Sequence, residues 1–245
     1  KDFYSTLLPT FIVIGLSGTS ANAPWVLQAL SAFGILSTIA AVKLMVTRGP
    51  KYLFTLSYLS IIVAMLGYLV IYLTGINNPM WMLVIVSIIY QLGRGILEFT
   101  PWNVFPFIPD VDRIFTHGDK AGVYASVMTF FRKSTGALAT YIAGWALEEI
   151  GFNSTTMTTH ANTPLGIQHG IMLIFIFVPI GLLVAALIAA RTFKLNRANH
   201  DILKAELQRL EEGGSKADVT LEARQVVELL TGHPYEKCWP DQADI

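Results

Sequence analysis

The chain has 245 residues, of which 53% are hydrophobic and only 14% are charged, whereas a soluble domain carries about 25% charged residues. Three stretches, 3–42, 52–93 and 150–190, contain no Asp, Glu, Lys or Arg, and each is about twice the roughly 20 residues that cross a bilayer. This composition excludes an ordinary soluble domain and indicates a membrane protein. The formal net charge of +0 gives no basic surface for nucleic acid, and the single cysteine excludes an intramolecular disulfide.

Clusters of Gly, Pro and Asn divide the apolar stretches into segments of membrane-spanning length. The predicted spans, in chain order, are about 25–46, 52–73, 80–108, 121–147 and 165–190. Ahead of them, the apolar run from Leu7 to Leu16 is too short to span and contains Pro9. We therefore interpret residues 1–24 as the remnant of a truncated helix or as an outer loop. Because the chain starts at Lys1 without an initiator Met, we expect it to be the later part of a longer polypeptide.

The distribution of Lys and Arg predicts the orientation, since basic residues are retained in short cytoplasmic loops. They occur in the 47–51 turn, in the 109–120 loop and after the last span, whereas the connections 74–79 and 148–164 contain none. The five spans then alternate consistently and place the C-terminus in the cytoplasm. We expect an integral protein of the bacterial inner (plasma) membrane.

Residues 191–245 have the composition of a soluble segment and are predicted to form a cytoplasmic amphipathic tail. The pattern predicts one helix over 201–212 and a second that begins at Thr220 as N-cap and ends at Gly232. We expect the tail to pack on the cytoplasmic face, and a regulatory or partner-binding role is the alternative. The five histidines show no ligand spacing, so no metal site is assigned.

Four ionisable residues fall inside predicted spans, where each costs at least about 2.5–3.5 kcal/mol unless it faces a cavity or a partner. Arg94 and Glu98 are four residues apart on the third span and can pair, and Gln91 extends the same face. Arg132 and Lys133 on the fourth span lie, like Glu98, about 18 Å from the cytoplasmic surface. Because consecutive helical residues point about 100° apart, only one of these two cations can point squarely at Glu98.

These charges either line a polar pathway or only hold two helices in register. The pathway is favoured by Pro101, Pro106 and Pro109, since a broken transmembrane helix is tolerated where it lines a cavity. Trp102 and Asn103 lie in the same stretch, and an aromatic face beside an amide suits a sugar ring. A Trp that packs between helices is the alternative.

The fourth span otherwise has the pattern of a packing helix. Gly136, Thr140 and Gly144 recur every four residues, which is the small-residue spacing that allows helices to approach closely. We therefore expect a neighbouring helix along this stripe.

Several motifs share one family resemblance: Gly93-Arg94-Gly95, Pro109-Asp110-Val111-Asp112 with Thr116 and Gly122, the run from Tyr124 to Lys133, and the tail run from Leu230 to Lys237. In these motifs the chain resembles the glycoside–pentoside–hexuronide:cation symporters, the melibiose permease family of the major facilitator superfamily. The resemblance implies an all-α membrane protein. It would be the C-terminal six-helix half of a major facilitator fold, with the first helix truncated and a cytoplasmic helical tail.

The function that the resemblance implies is part of a secondary active transporter, which couples symport of a sugar or glycoside to Na⁺ or H⁺ by alternating access. No cofactor is expected, and the coupling cation would bind mainly in the missing N-terminal six-helix half. That half, the lipid bilayer and the sugar are the expected partners. The alternatives are a transporter of an amphiphile such as a lysolipid and a non-transporting sensor that retains the fold. An enzyme would need a nucleophile or metal cluster, which the sequence does not show.

The resemblance also implies roles for individual residues. Lys133 matches a lysine of the eleventh helix near the sugar and cation sites, and a cytoplasmic gate motif comprises Asp110, Asp112, Thr116 and Gly122. This chain departs from the family between Thr116 and Gly122, where a basic pair and a Glu are replaced. The complete set of candidate substrate-binding or pathway residues is Gln91, Arg94, Glu98, Trp102, Asn103, Arg132 and Lys133.

Overall fold

The structure, a computed structural model, describes residues 2–16, 22–75 and 80–239. Within these ranges the chain is helical and has no strand, so the predicted all-α fold is confirmed. The α-helices are α1 (Asp2–Thr10), α2 (Asn22–Arg48), α3 (Pro50–Thr74), α4 (Met80–Val104), α5 (Phe107–Thr116), α6 (Ala121–Glu149), α7 (Leu165–Arg191), α8 (Arg197–Glu211) and α9 (Leu221–Thr231). A π-helical turn, Phe11–Gly15, continues α1, and the 3₁₀ turns Lys216–Asp218 and Tyr235–Lys237 flank α9.

Among the described residues, three segments are long and apolar enough to cross a membrane: Pro50–Thr74, Met80–Thr116 and Leu165–Arg191. The other two predicted spans, 25–46 and 121–147, correspond to α2 and α6, which are 27 and 29 residues long. Over its described residues α6 does not reach the same hydropathy, since it carries Arg132 and Lys133 among several Ser, Thr and Gly residues. That α2 and α6 also cross the bilayer stays a prediction.

Residues 2–15 are helical and pack against the bundle. Of the two alternatives that the sequence allows for this segment, a helix remnant and an outer loop, the structure has the helix. Leu7, Leu8 and Phe11 are fully buried, and the Phe11 ring stacks on Phe175 of α7 with centroids 4.4 Å apart. Residues 17–21 and the tip of the predicted outer connection, 76–79, lie outside the described residues.

Tyrosine side chains connect α1, α3 and α4 in the core of the bundle. The Tyr4 hydroxyl of α1 is hydrogen-bonded to that of Tyr68 on α3 at 2.8 Å, and Tyr68 bonds Ser87 of α4 at 2.6 Å. The Tyr4 ring also stacks on Tyr90 of α4 at 3.6 Å. Because these hydroxyls satisfy one another, Tyr4 and Tyr68 can be buried without an unpaired polar atom. The network fixes α1 against the helices that carry the candidate site.

The predicted packing stripe on α6 is only partly correct. The position that a Cβ of Gly136 would occupy lies 3.0 Å from the Asp2 carboxylate of α1, but no heavy atom lies within 4 Å of the corresponding position at Gly144. Ala143 is the one buried residue described in α6. A stripe of small residues allows a neighbouring helix to approach closely, but it does not show that a neighbouring helix is present. The expected close contact is therefore not found at Gly144.

The third predicted span is not one continuous helix, and the predicted 109–120 loop is mostly helical. α4 stops at Val104, and the short amphipathic helix α5 follows. Pro106 is the N-cap of α5 and Pro109 lies in its first turn, where no backbone N–H donor is needed. The prolines therefore mark one sharp break between two helices. The alternation of Ile108, Val111 and Ile114 with polar residues could have predicted α5.

The predicted tail helices are present and fold against α5. Thr220 caps α9, accepting a hydrogen bond from the Ala223 N–H at 3.2 Å, and Gly232 ends it in the left-handed conformation with φ 74°. The buried cluster of this tail module, formed by α5 and residues 197–239, comprises Ile114, Leu203, Leu207, Leu210, Val226, Val227, Tyr235 and Cys238. Ile114 thus provides the apolar surface of α5 on which the tail packs.

We expect the tail module to lose stability in acid because of Glu206, whose side chain is 4% exposed. Burial raises its pKa, but hydrogen bonds from Arg209, at 2.7 and 2.9 Å, and from the Tyr235 hydroxyl outweigh burial and leave the pKa below the usual value. A carboxyl whose pKa is lower in the folded state contributes stability above its unfolded pKa, about 4.3, and loses that contribution as the pH falls through the folded value.

Amide hydrogen exchange of α8 and α9 between pH 6 and pH 3 measures this effect. Glu206→Gln should weaken the pH dependence without removing it, because Glu228, which accepts the Tyr235 backbone N–H at 3.0 Å, also has a lowered pKa. The exposed Glu222 provides a control, since Glu222→Gln should leave the wild-type profile. Equal profiles for wild type and Glu206→Gln would contradict the prediction.

Candidate functional site

A cavity of about 1060 Å³ lies between α1, α4 and α6. It brings together four of the predicted pathway residues, Glu98, Trp102, Arg132 and Lys133. Pro101 lies in the same wall, and because proline has no N–H, it cannot satisfy the carbonyl of Leu97, which also lines the cavity. Charged, aromatic and apolar side chains thus line one volume, which we call the α1–α4–α6 cavity.

Arg94 and Gln91 face away from this cavity toward α2. Arg94 Nε lies 3.3 Å from Glu98 Oε1, and Arg94 Nη1 donates to Gln91 Oε1 at 3.3 Å. These three side chains line a smaller cavity of about 250 Å³ beside Gly34 and Thr38 of α2. Glu98 lines both cavities, so its carboxylate lies between Arg94 on one side and the cations of α6 on the other.

Arg132 and Lys133 diverge on α6, as consecutive residues must. The Arg132 guanidinium carbon lies 5.2 Å from the centroid of the Trp102 ring, within cation–π distance. Lys133 lines the α1–α4–α6 cavity and also an open depression on the flank of α6. In the part of the chain that the structure describes, neither cation forms an ion pair with a carboxylate.

Asn103 does not join Trp102 in the cavity wall. Its Nδ2 donates to the Phe99 carbonyl of the preceding turn at 2.9 Å, and it is not among the residues lining the α1–α4–α6 cavity. An adjacent position on a helix points in a different direction, so the predicted pair of an indole and an amide is not formed.

The α1 side of the cavity, which consists of Asp2, Ser5 and Thr6, was not among the residues predicted from the sequence. These positions are three and four residues apart and lie on one face of an apolar helix. That spacing is the signal in the sequence that indicates a polar face on α1. α6 adds the hydroxyls of Thr135 and Thr140 to the same lining.

The candidate gate residues lie on and beside α5, outside the cavity. Asp110 Oδ2 lies 2.7 Å from His200 Nε2 of α8, and Asp112 Oδ2 lies 3.5 Å from Lys120 Nζ, in front of α6. Thr116 Oγ1 donates to the Asp112 carbonyl at 3.0 Å. Gly122, in the first turn of α6, has no heavy atom within 4 Å of the position a Cβ would take. Asp110 and Asp112 therefore tie α5 to different neighbours.

Three apolar segments of membrane-spanning length, together with a cavity that exposes charged side chains of α4 and α6, define an integral membrane protein. The chain matches the family described as MFS/sugar transport protein over residues 9–197, and it belongs to that family of major facilitator transporters. No curated protein and no solved structure matches it significantly. The matched region begins near the end of α1, includes α2 to α7, and ends where α8 begins.

Proposed function

We propose that the chain is the C-terminal six-helix half of a secondary active transporter, related to the melibiose permease group, which moves a sugar or glycoside together with Na⁺ or H⁺. The N-terminal half would complete the substrate site and contribute most of the cation site, and rocking of the two halves would expose the site alternately. In this proposal the protein lies in the bacterial inner membrane with the tail in the cytoplasm.

The observation that supports this proposal is the α1–α4–α6 cavity. Its charged groups, Glu98, Arg132 and Lys133, can hydrogen-bond sugar hydroxyls, and the exposed Trp102 ring offers a flat face to a pyranose. Because Arg132 already lies over Trp102, we expect it to move aside or to share that ring when substrate enters. Glu98 and Lys133 then make the polar contacts at the centre of the site.

An amphiphile is the second candidate substrate, supported by the apolar part of the same wall. Leu97, Met128 and Phe131 line the cavity beside the charged groups. A single-chain lipid could place its headgroup against Arg132 and Lys133 and its chain along these side chains.

Uptake by the full-length transporter in proteoliposomes tests the proposal. We expect methyl thiogalactoside to accumulate when an inward Na⁺ or H⁺ gradient is imposed, and not without one. Uptake of lysophosphatidylcholine in place of the galactoside would support the amphiphile. Binding of either probe without uptake would indicate a sensor and would contradict the transport proposal.

Asp112→Asn should lower the turnover of this uptake several-fold and change its KM by less than about twofold. The substitution removes the charge that holds Lys120 at 3.5 Å, on α5 and outside the cavity, so it should alter the conformational step more than substrate binding. Asp201→Asn, on the exposed surface of α8, is the matched control and should behave as wild type. A loss of affinity with unchanged turnover would mean that this segment helps to bind substrate.

A further inference from the structure

The tail is fastened to α5 by apolar, backbone and charged contacts. The fully buried Ile114 of α5 packs in the cluster formed by Leu203, Leu207 and Val227. The Trp239 N–H donates to the Ile114 carbonyl at 2.8 Å. α5 therefore belongs both to the membrane bundle, through its connection to α4, and to the tail module.

His200 joins the tail to the gate motif itself. Its side chain is 8% exposed, and its Nε2 lies 2.7 Å from Asp110 Oδ2, where the imidazole N–H donates and the carboxylate accepts. Its ring stacks on Phe107 of α5, with centroids 4.0 Å apart and planes 19° apart. The stack on Phe107 sets the plane of the imidazole ring, and the hydrogen bond sets the direction in which Nε2 points. Together they hold Asp110 in one orientation.

The second acid of the motif is held differently. Asp112 contacts Thr116, the last residue of α5, and Lys120, in the connection between α5 and α6. Asp110 instead reaches a residue 90 positions away in the sequence. One half of the motif is thus oriented by its own segment and the other half by the tail.

We propose that His200 is a positioning residue of the gate, which orients Asp110 from the tail and makes the tail a working part of the transport cycle. This inference rests on the proposed transport function, because the motif that contains Asp110 acts as a gate only in a transporter. His200 lies beyond residue 197, where the family match ends, so the device belongs to this chain's tail and not to the matched region. The apolar cluster around Ile114 holds the tail independently, so loss of the His200 contact should misorient Asp110 without undocking the tail.

The first test compares His200→Leu with His200→Gln in the full-length transporter, with methyl thiogalactoside as the probe. Leu keeps an apolar side chain over Phe107 but cannot donate, whereas the Gln amide can reach the position of Nε2. We expect His200→Leu to lower turnover about tenfold with KM within about twofold, since a hydrogen bond to a charged group is lost. His200→Gln should restore turnover to within about threefold of wild type.

His233→Leu is the matched control. His233 also comes from the tail and stacks on a phenylalanine of α5, Phe115, with centroids 4.5 Å apart, but it has no hydrogen bond to a gate carboxylate among the described contacts. It should transport as wild type. The inference would be overturned by wild-type turnover in His200→Leu, by equal loss in His200→Leu and His200→Gln, or by an effect on KM alone.

The second test does not depend on transport and separates the two proposals. In hydrogen exchange, His200→Leu should accelerate the amides of the first turns of α5 and leave those of α9 protected, and His200→Gln should match wild type. Equal acceleration in α5 and α9 would show that His200 only stabilises the tail, which would contradict a positioning role. If exchange is faster in α5 alone and no probe is taken up, the proposed transport function is wrong, but His200 still orients Asp110.

Discussion

Lys133→Ala should reduce uptake by the full-length transporter at least about tenfold. Lys133 places a cation in the α1–α4–α6 cavity, opposite Glu98 and Trp102. Removal of one hydrogen bond between a charged side chain and a bound substrate costs about 1.5–3 kcal/mol, and about 1.4 kcal/mol is a factor of ten. We expect Lys133→Ala to lower kcat/KM for uptake by a larger factor than it lowers the amount of transporter in the membrane.

Protein stability separates a site role from a structural one. Lys133 is exposed, and within the described chain no ion pair holds it, so its removal should leave the thermal unfolding temperature unchanged. Lys51→Ala, at the start of α3 and also exposed, is the matched control for removal of one lysine and should transport as wild type. Unchanged uptake by Lys133→Ala would contradict the role of this residue.

Gly95→Ala should destabilise the helix bundle by about 1–3 kcal/mol, the range for overpacking a tight contact. A Cβ at this position would lie 1.9 Å from Ser37 Oγ and 2.6 Å from the Gly34 carbonyl oxygen of α2. The serine can rotate away, but the carbonyl belongs to the α2 backbone, so the two helices must separate. The loss outweighs the gain in helix propensity of Ala over Gly, at most about 1 kcal/mol.

Gly144→Ala is the matched control and should have the opposite sign. It adds the same methyl group to a helical glycine, but no heavy atom lies within 4 Å of the new Cβ. Thermal unfolding of the detergent-purified protein should show a clearly lower midpoint for Gly95→Ala and an unchanged or slightly higher one for Gly144→Ala. Equal midpoints would contradict the close packing of α2 on α4.

The sequence was sufficient for features that depend on neighbours along one helix. The pair of Arg94 and Glu98 follows from their spacing of four residues, because that spacing places two side chains on one face whatever surrounds the helix. Thr220 and Gly232 mark the ends of α9 for a similar reason, since caps are set by local backbone geometry.

The sequence was less successful where two local signals competed. The three prolines after Glu98 suggested an irregular stretch, although the apolar positions of 107–116 have helical spacing. In the structure the prolines occupy helix starts and a final turn, so α5 forms. The glycines show the same limit: Gly144 and Gly95 look equally suited to close packing, but only Gly95 has a helix against it.

The sequence by itself therefore determined the class of protein, the long helices and the charged residues that must avoid lipid. These follow from composition and from periodicity within single helices. Only the tertiary structure decided that Asp2 of α1 joins Glu98 and Lys133 around one cavity, and that Asp110 is held by His200 of the tail. The physical reason is that such contacts depend on which helix faces stay in register across long loops, and no residue-to-residue spacing along the chain encodes that choice.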